Sequence, residues 1–320
     1  MTGPLRDLHL LPKTRDSLSF LYVEHARIEQ DDRAIAIADS AGRVPVPCAS
    51  LSLLLLGPGT TVTHAAIRTL AETGCLVAWT GEEGVRLYAT GTGETRSARN
   101  IARHAAAWAD PEARMRVVRR MYEVRFAEPL DPDLTLAQVR GKEGIRVRET
   151  YAAFSRATGV HWAGRSYDRR HWLSADPVNR ALSAANSALY GVVHAAIVAS
   201  GYSPALGFVH SGKQLSFVYD IADLYKTEVS IPVAFQVAAE GEREIERRVR
   251  LLCRDLFREQ RLLGRIVPDI EHLLDAARTA EPEVDGSDVD ADAAMPGVLW
   301  DPSGELVVGG RNFGDDLEAV

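Results

Sequence analysis

The hydrophobic pattern of this chain changes period once, at Gly91-Thr92-Gly93. Before it, short apolar and β-branched runs at residues 18–24, 27–30, 34–38, 75–80 and 85–90 are separated by turn formers. These are Asp31-Asp32, Ser40-Ala41-Gly42 and Gly81-Glu82-Glu83-Gly84. Runs of that length between such residues fold as strands and hairpins. One interval, residues 63–72, has helical period, with Thr63 where an N-cap belongs. After the glycines, apolar residues recur at spacings of three and four over 96–108, 112–126, 135–158, 177–200, 217–226, 232–239, 242–263 and 267–277. That is the spacing of helices with one buried face. Asp110-Pro111 supplies an N-cap followed by proline at the first helical position. The expected fold class is α+β, with a small β-rich N-terminal domain over residues 1–92 and a larger all-helical domain over 93–280. Residues 281–320 are expected to form an acidic, flexible tail.

Charge bears on which partners the chain can take. The 320 residues hold 37 Lys and Arg against 44 Asp and Glu, a net −7 that argues against a polyanionic partner. The acidity is local, however. Residues 281–320 carry eleven acids and one base, Arg311, which leaves 36 bases and 33 acids in the rest of the chain. Residues 91–180 hold 17 bases against 11 acids. The body is therefore mildly basic, and the objection to nucleic acid disappears.

Other features narrow the class. Cys48, Cys75 and Cys253 are far apart and form no CxxC pair, which points to a reducing compartment. The first seventeen residues contain no apolar core of signal-peptide length, so a cytoplasmic protein is expected. The uncharged stretch 181–202 includes Ser183, Asn186, Ser187, His194 and Ser200, and reads as a buried helix rather than a membrane span. No GxxxxGK[ST], GxSxG or HExxH motif occurs.

Three segments carry chemistry. In Gly207-Phe208-Val209-His210-Ser211-Gly212-Lys213 a histidine sits between glycines, where its ring can project. A helix follows whose Asp220 and Asp223, three apart, share one face. Carboxylates so placed repel unless something cationic lies between them, and imidazole with carboxylates suits magnesium or manganese. The bland alternative is that Asp220 caps the helix, Asp223 pairs with Lys226, and His210 is a satisfied loop residue. In the second segment Glu143 lies between Gly141 and Gly144 inside a helix. Each glycine there costs roughly 1 kcal/mol relative to alanine, which a close approach by a backbone or a ligand would explain. A solvated helix face would explain the charges but not the glycines. The third segment, residues 162–172, mixes Arg165, Arg169 and Arg170 with Trp162, Tyr167 and Trp172. Bases with aromatics suit a nucleic-acid strand, although an interhelical loop with aromatic anchors has the same composition. The run Arg114, Arg116, Arg119, Arg120 reads as a solvated face.

The residues 205–213 and 216–223, with Gly164-Arg165-Ser166-Tyr167-Asp168 and Leu189-Tyr190-Gly191, resemble the signature of a known family. It is the CRISPR-associated spacer-acquisition integrase and endonuclease, the first-numbered Cas protein, in its type I-E form. The resemblance covers residues 10–280 or so. It implies a helical catalytic domain with a metal held by Glu143, His210 and Asp223, and Asp220 as a supporting carboxylate. The metal would be magnesium or manganese. It places Lys226 and Arg86 as supporting groups in the active site, and Arg140, Arg165, Tyr167, Tyr190 and Lys213 on DNA. Tyr22 or His25 falls near the position that wedges the DNA fork. The implied assembly is a homodimer that joins a small ferredoxin-like second adaptation subunit in a heterohexamer-like complex. The implied reaction is insertion of short foreign DNA fragments into a CRISPR array by attack of a 3′-hydroxyl on the repeat phosphodiester. A DNA-binding scaffold without chemistry of its own is the alternative. A hydrolase of small phosphoesters would leave the basic helices without a use.

Overall fold

The computed structural model describes residues 20–32, 34–48, 51, 53–82, 87–91, 98–131, 133–165 and 176–277. The first part contains β1 (Phe20–Val23), β2 (Arg27–Asp31), β3 (Ala34–Asp39), β4 (Gly42–Val46), β5 (Leu53–Leu56), β6 (Thr61–Val62), α1 (His64–Glu72), β7 (Leu76–Thr80) and β8 (Leu87–Gly91). They form two four-stranded sheets, ordered β1-β5-β7-β8 and β4-β3-β2-β6. In the first sheet β5 runs parallel to β1 and β7, and β8 is antiparallel to β7.

The first sheet separates two cores. Leu53 and Leu55 of β5, with Leu76 and Ala78 of β7, pack into a core shared with the helices. Leu54, Leu56 and Val77 face the other way, against Val23, Ile28, Ile35 and Leu70. All four leucines of β5 are buried, so the strand shows no alternation. The periodicity missed it for that reason. It also missed β4, an edge strand with four of its five residues exposed and Pro45 within it, which edge strands tolerate. The two residues of β6 are too few to show a period.

The helices are α2 (Arg99–Ala109), α3 (Pro111–Phe126), α4 (Leu136–Thr158), α5 (Pro177–Ala199), α6 (Ser216–Asp223), α7 (Ser230–Ala239), α8 (Ile245–Glu259) and α9 (Leu262–Asp275). Side-chain caps set several starts: Thr63 for α1, Asp110 with Pro111 for α3, Thr135 with Gln138 as a capping box for α4, and Asp176 for α5. The chain is therefore a β-rich region followed by a helical one, as its periods indicate. The expected helix over 242–263 ends earlier, at Glu259, because Arg261 takes a left-handed conformation with φ 49°. The next helix begins at Leu262 and carries Pro268 inside it.

Among the described residues only α5 is long and apolar enough to cross a membrane, with a mean hydropathy of 1.4 over its most apolar stretch. It runs through both helical cores instead. Leu189, Val193 and Ile197 belong to the core shared with the sheet, and Val178, Leu182 and Ala185 to a second one with Phe235 and Val249.

Candidate active site

The loop between α5 and α6 is held on both sides of its backbone. From α6, Asp220 turns inward and is only 2% exposed. Its Oδ2 accepts the N–H groups of Phe208 and Val209 at 2.6 and 3.0 Å, and its Oδ1 accepts that of His210 at 2.9 Å. From α2 and α3, side chains donate to the loop carbonyls. His104 Nε2 reaches Leu206, Trp108 Nε1 and Arg114 Nη2 both reach Gly207, and Arg114 Nε reaches Phe208, all at 2.9–3.0 Å. Gly207 is required here, because a Cβ would stand 2.3 Å from the carbonyl oxygen of His210. Asp220 thus caps the loop rather than its own helix.

His210 follows from this frame. Its Nδ1 lies 2.6 Å from Asp220 Oδ1. A carboxylate only accepts, so Nδ1 carries the proton and Nε2 is the nitrogen left for a ligand. The hydrogen bond to Asp220 raises the His210 pKa above its ordinary value against the opposing effect of burial. Behind the loop, His104 is fully buried among Tyr202, Phe208 and Phe217. Burial lowers its pKa to about 4.

Glu143 approaches from α4. Its Oε2 accepts the Tyr122 hydroxyl at 3.0 Å and its Oε1 pairs with Nη1 of Arg125. The same Arg125 nitrogen is 3.7 Å from Oδ2 of Asp223. Oδ1 of Asp223 lies 2.5 Å from Lys226 Nζ, in poor alignment for a hydrogen bond. Burial by itself would lower the Lys226 pKa, but Asp223 and Tyr190 outweigh it and raise it. The ammonium sits 5.3 Å from the centre of the Tyr190 ring, and Tyr219 meets both Tyr190 and His210 edge-on. One guanidinium therefore links Glu143 to Asp223, and a short aromatic chain links Lys226 to His210. Asp223 pairs with Lys226, as the bland alternative had it. Among the described residues no three His, Cys, Asp or Glu side chains converge as a metal cage.

The remaining expected site residues fall in different places. Arg140 and Lys213 are exposed. Arg165 binds within the fold, donating to Asn179 O and Oδ1 and to Ser183 Oγ of α5. Tyr22 packs against the core shared with the helices, with its hydroxyl 2.6 Å from Glu24 Oε2, and His25 is exposed with φ 50°. Arg86, Tyr167, Arg169, Arg170 and the tail lie outside the described residues. Gly141 and Gly144 have open space where a Cβ would stand, so no backbone among the described residues explains them. The arginines of α3 are not a solvated face. Besides Arg114, Arg116 holds the carbonyls of Ala276 and Ala277, and Arg119 those of Asp131 and Leu134.

Sequence reading missed Arg125 and Tyr122. A signal existed. Val118, Tyr122 and Arg125 follow one another at spacings of four and three, as do Met121 and Arg125, and the apolar members are buried. An arginine in phase with a buried stripe marks an internal charge partner.

Comparison with known proteins places the chain in a class and then beside particular relatives. Residues 123–247, which include Glu143, His210, Asp220 and Asp223, match the family described as CRISPR associated protein Cas1. The chain belongs to that family. It is 55% identical over 311 residues to the CRISPR-associated endonuclease Cas1 2 of Thermus thermophilus, covering 97% of this chain and 95% of the relative. It is 44% identical over 269 residues to the CRISPR-associated endonuclease Cas1 of Escherichia coli, covering 84% and 88%. A solved TtCas1–DNA complex matches with a TM-score of 0.76 and 57% identity, over 82% of this chain and 99% of that one.

Proposed function

We propose that this chain is a metal-dependent DNA endonuclease and integrase of CRISPR adaptation, of the type I-E kind. The observation that carries this reading is a pair of carboxylates, Glu143 and Asp223, drawn onto one cation beside an imidazole whose Nδ1 is fixed by Asp220. The donor chemistry fits a divalent ion. Two carboxylates and a histidine suit magnesium or manganese, and a carboxylate on the second ring nitrogen is how ligating histidines are oriented. Glu143, His210 and Asp223 would hold the ion. Bound there, it would supply a Lewis acid for the scissile phosphodiester.

The protein groups do the positioning. Asp220 holds the loop so that His210 Nε2 faces outward. Lys226 brings positive charge beside Asp223, where charge builds up on the phosphoryl oxygens. Exposed Arg140 and Lys213 would meet backbone phosphates, and the open strip at Gly141 and Gly144 would let a DNA backbone come close to α4. Tyr190 and Tyr167 would support the strand, with Arg86 at the reacting phosphate and Tyr22 or His25 at the fork. Joining replaces one DNA end by another at phosphorus: the fragment's 3′-oxygen forms a bond as the repeat's phosphodiester breaks. Two chains would pair as a homodimer and take up a small ferredoxin-like adaptation subunit into a heterohexamer-like complex, in the cytoplasm and with no role at a membrane.

The test is joining of short duplex ends to a repeat-containing plasmid in magnesium or manganese, with the small partner present. Glu143→Ala, His210→Ala and Asp223→Ala should each abolish product, and full joining by all three would refute the catalytic reading. One observation favours the second reading, a scaffold without chemistry. Each carboxylate is already matched by a protein cation, Glu143 by Arg125 and Asp223 by Lys226. On that reading the three substitutions leave joining intact, and reversing the charge of Arg140 and Lys213 stops it.

A further inference from the structure

We propose that Arg125 is a built-in counter-cation of this site: it joins Glu143 to Asp223 in the absence of a divalent ion and has to leave for one to bind. The inference deepens the reading of Glu143 and Asp223 as metal ligands and rests on it. Arg125 projects from the last turn of α3 with its side chain 9% exposed. Its Nη1 meets Glu143 Oε1 and lies 3.7 Å from Asp223 Oδ2. A single nitrogen thus stands between oxygens from two different helices, where both would reach for a shared cation.

Arg125 is bound differently from the arginines that grip a partner with two nitrogens. Arg180 grips Glu246 through Nε and Nη2 at 2.9 and 3.0 Å, and Arg265 grips Glu228 through both terminal nitrogens. Arg114 uses both sides of its fork on the His210 loop. The Nε of Arg125, in contrast, is buried and makes no hydrogen bond. Arg103, which holds Glu271 O and Asp275 of α9, also leaves its Nε unmet, so what sets Arg125 apart is one nitrogen set between two carboxylates of different helices. Charge, rather than a completed fork, holds this one.

The charge balance gives the consequence. Arg125 and Lys226 offset Glu143 and Asp223, two against two. A divalent ion entering between the carboxylates would meet a guanidinium at contact distance, and the two repel. Binding therefore requires Arg125 to swing away from Glu143 and Asp223. A phosphate oxygen would be a suitable new partner for it. Metal occupancy and phosphate binding then become linked equilibria, each easing the other.

The test titrates manganese into the full-length protein without DNA and reads free ion by electron paramagnetic resonance, with circular dichroism to confirm folding. Arg125→Gln should bind manganese about tenfold more tightly than the parent, a gain of about 1.4 kcal/mol. Arg125→Lys, which keeps a positive charge, should stay within about threefold of the parent. Equal or weaker binding by a folded Arg125→Gln protein overturns the proposal. Glu143→Gln and Asp223→Asn should abolish binding, and if both still bind, the ligand reading itself has failed. Should Arg125→Gln not fold, the parent decides the matter through its Arg125 Nε–H signal in nuclear magnetic resonance. That signal should move and exchange faster as magnesium is added. A signal unchanged at saturating magnesium overturns the proposal equally.

Discussion

The loop that carries His210 and the helix that carries Glu143 flank one cluster of charges and are built on different principles. In the loop, three consecutive N–H groups and three consecutive carbonyls are met by protein side chains, and Asp220 is buried. On α4 the carboxylate of Glu143 is held by Arg125 and the Tyr122 hydroxyl, and among the described residues nothing fills the space beside Gly141 and Gly144. One side is preorganised by hydrogen bonds that do not depend on a ligand. The other is adjustable, set by which cation is present. The metal and polyanion proposed for this site would benefit from both, a fixed imidazole and a carboxylate free to respond.

Substitutions can break that contrast, and the largest effect should come from Gly207→Ala. The added methyl would meet backbone atoms 2.3 and 2.8 Å away, and no side-chain motion relieves that. A loss of about 5 kcal/mol, at the upper end for single substitutions, should appear in denaturant unfolding. Asp220→Ala should cost about 4 kcal/mol, since four bonds to a buried carboxylate disappear at once. A loss under about 1 kcal/mol would show that the loop is not held as described.

Acid should act on the loop side next. His104 is held neutral in the fold, with its pKa lowered to about 4 from an ordinary 6.5. Below 6.5 the unfolded chain takes up the proton more readily, so stability falls as pH drops from 6.5 towards 4 and levels off below. The loss is roughly 3 kcal/mol across that window. His104→Phe should flatten the slope, and an unchanged slope would assign the acid sensitivity elsewhere. The smallest effect belongs to the other side. Gly144→Ala meets nothing and removes a helix-interior glycine, so it should stabilise by about 1 kcal/mol. If it also weakens DNA binding, the glycine serves a close approach from outside the chain.

The sequence made the helical region legible because its helices have one buried face and side-chain caps at several starts. It made β5 illegible for a physical reason. A strand covered on both faces has no polar phase, and four leucines in a row have no period. The site was legible in part. His210, Asp220 and Asp223 stood out by spacing, and Glu143 by its flanking glycines. Spacing said that Asp220 and Asp223 share a helix face. It could not say that one would turn inward to three N–H groups while the other faced Lys226 and Arg125. Arg125 itself was hidden among seven arginines between residues 103 and 140, and only its phase on α3 distinguished it. The arginines of α3 carry a lesson about composition too. A basic segment invites a reading in terms of partners, yet Arg114, Arg116 and Arg119 hold carbonyls of their own chain.

The row of leucines in β5 acts as a party wall. Residues Leu53 and Leu55 belong to the helical core and Leu54 and Leu56 to the other. Cutting the chain at the glycine joint would strip the helical core of one of its sides, and the strand-rich piece would keep a bare leucine face. The two regions therefore cannot be lent out separately as modules. They should melt together in a single calorimetric transition.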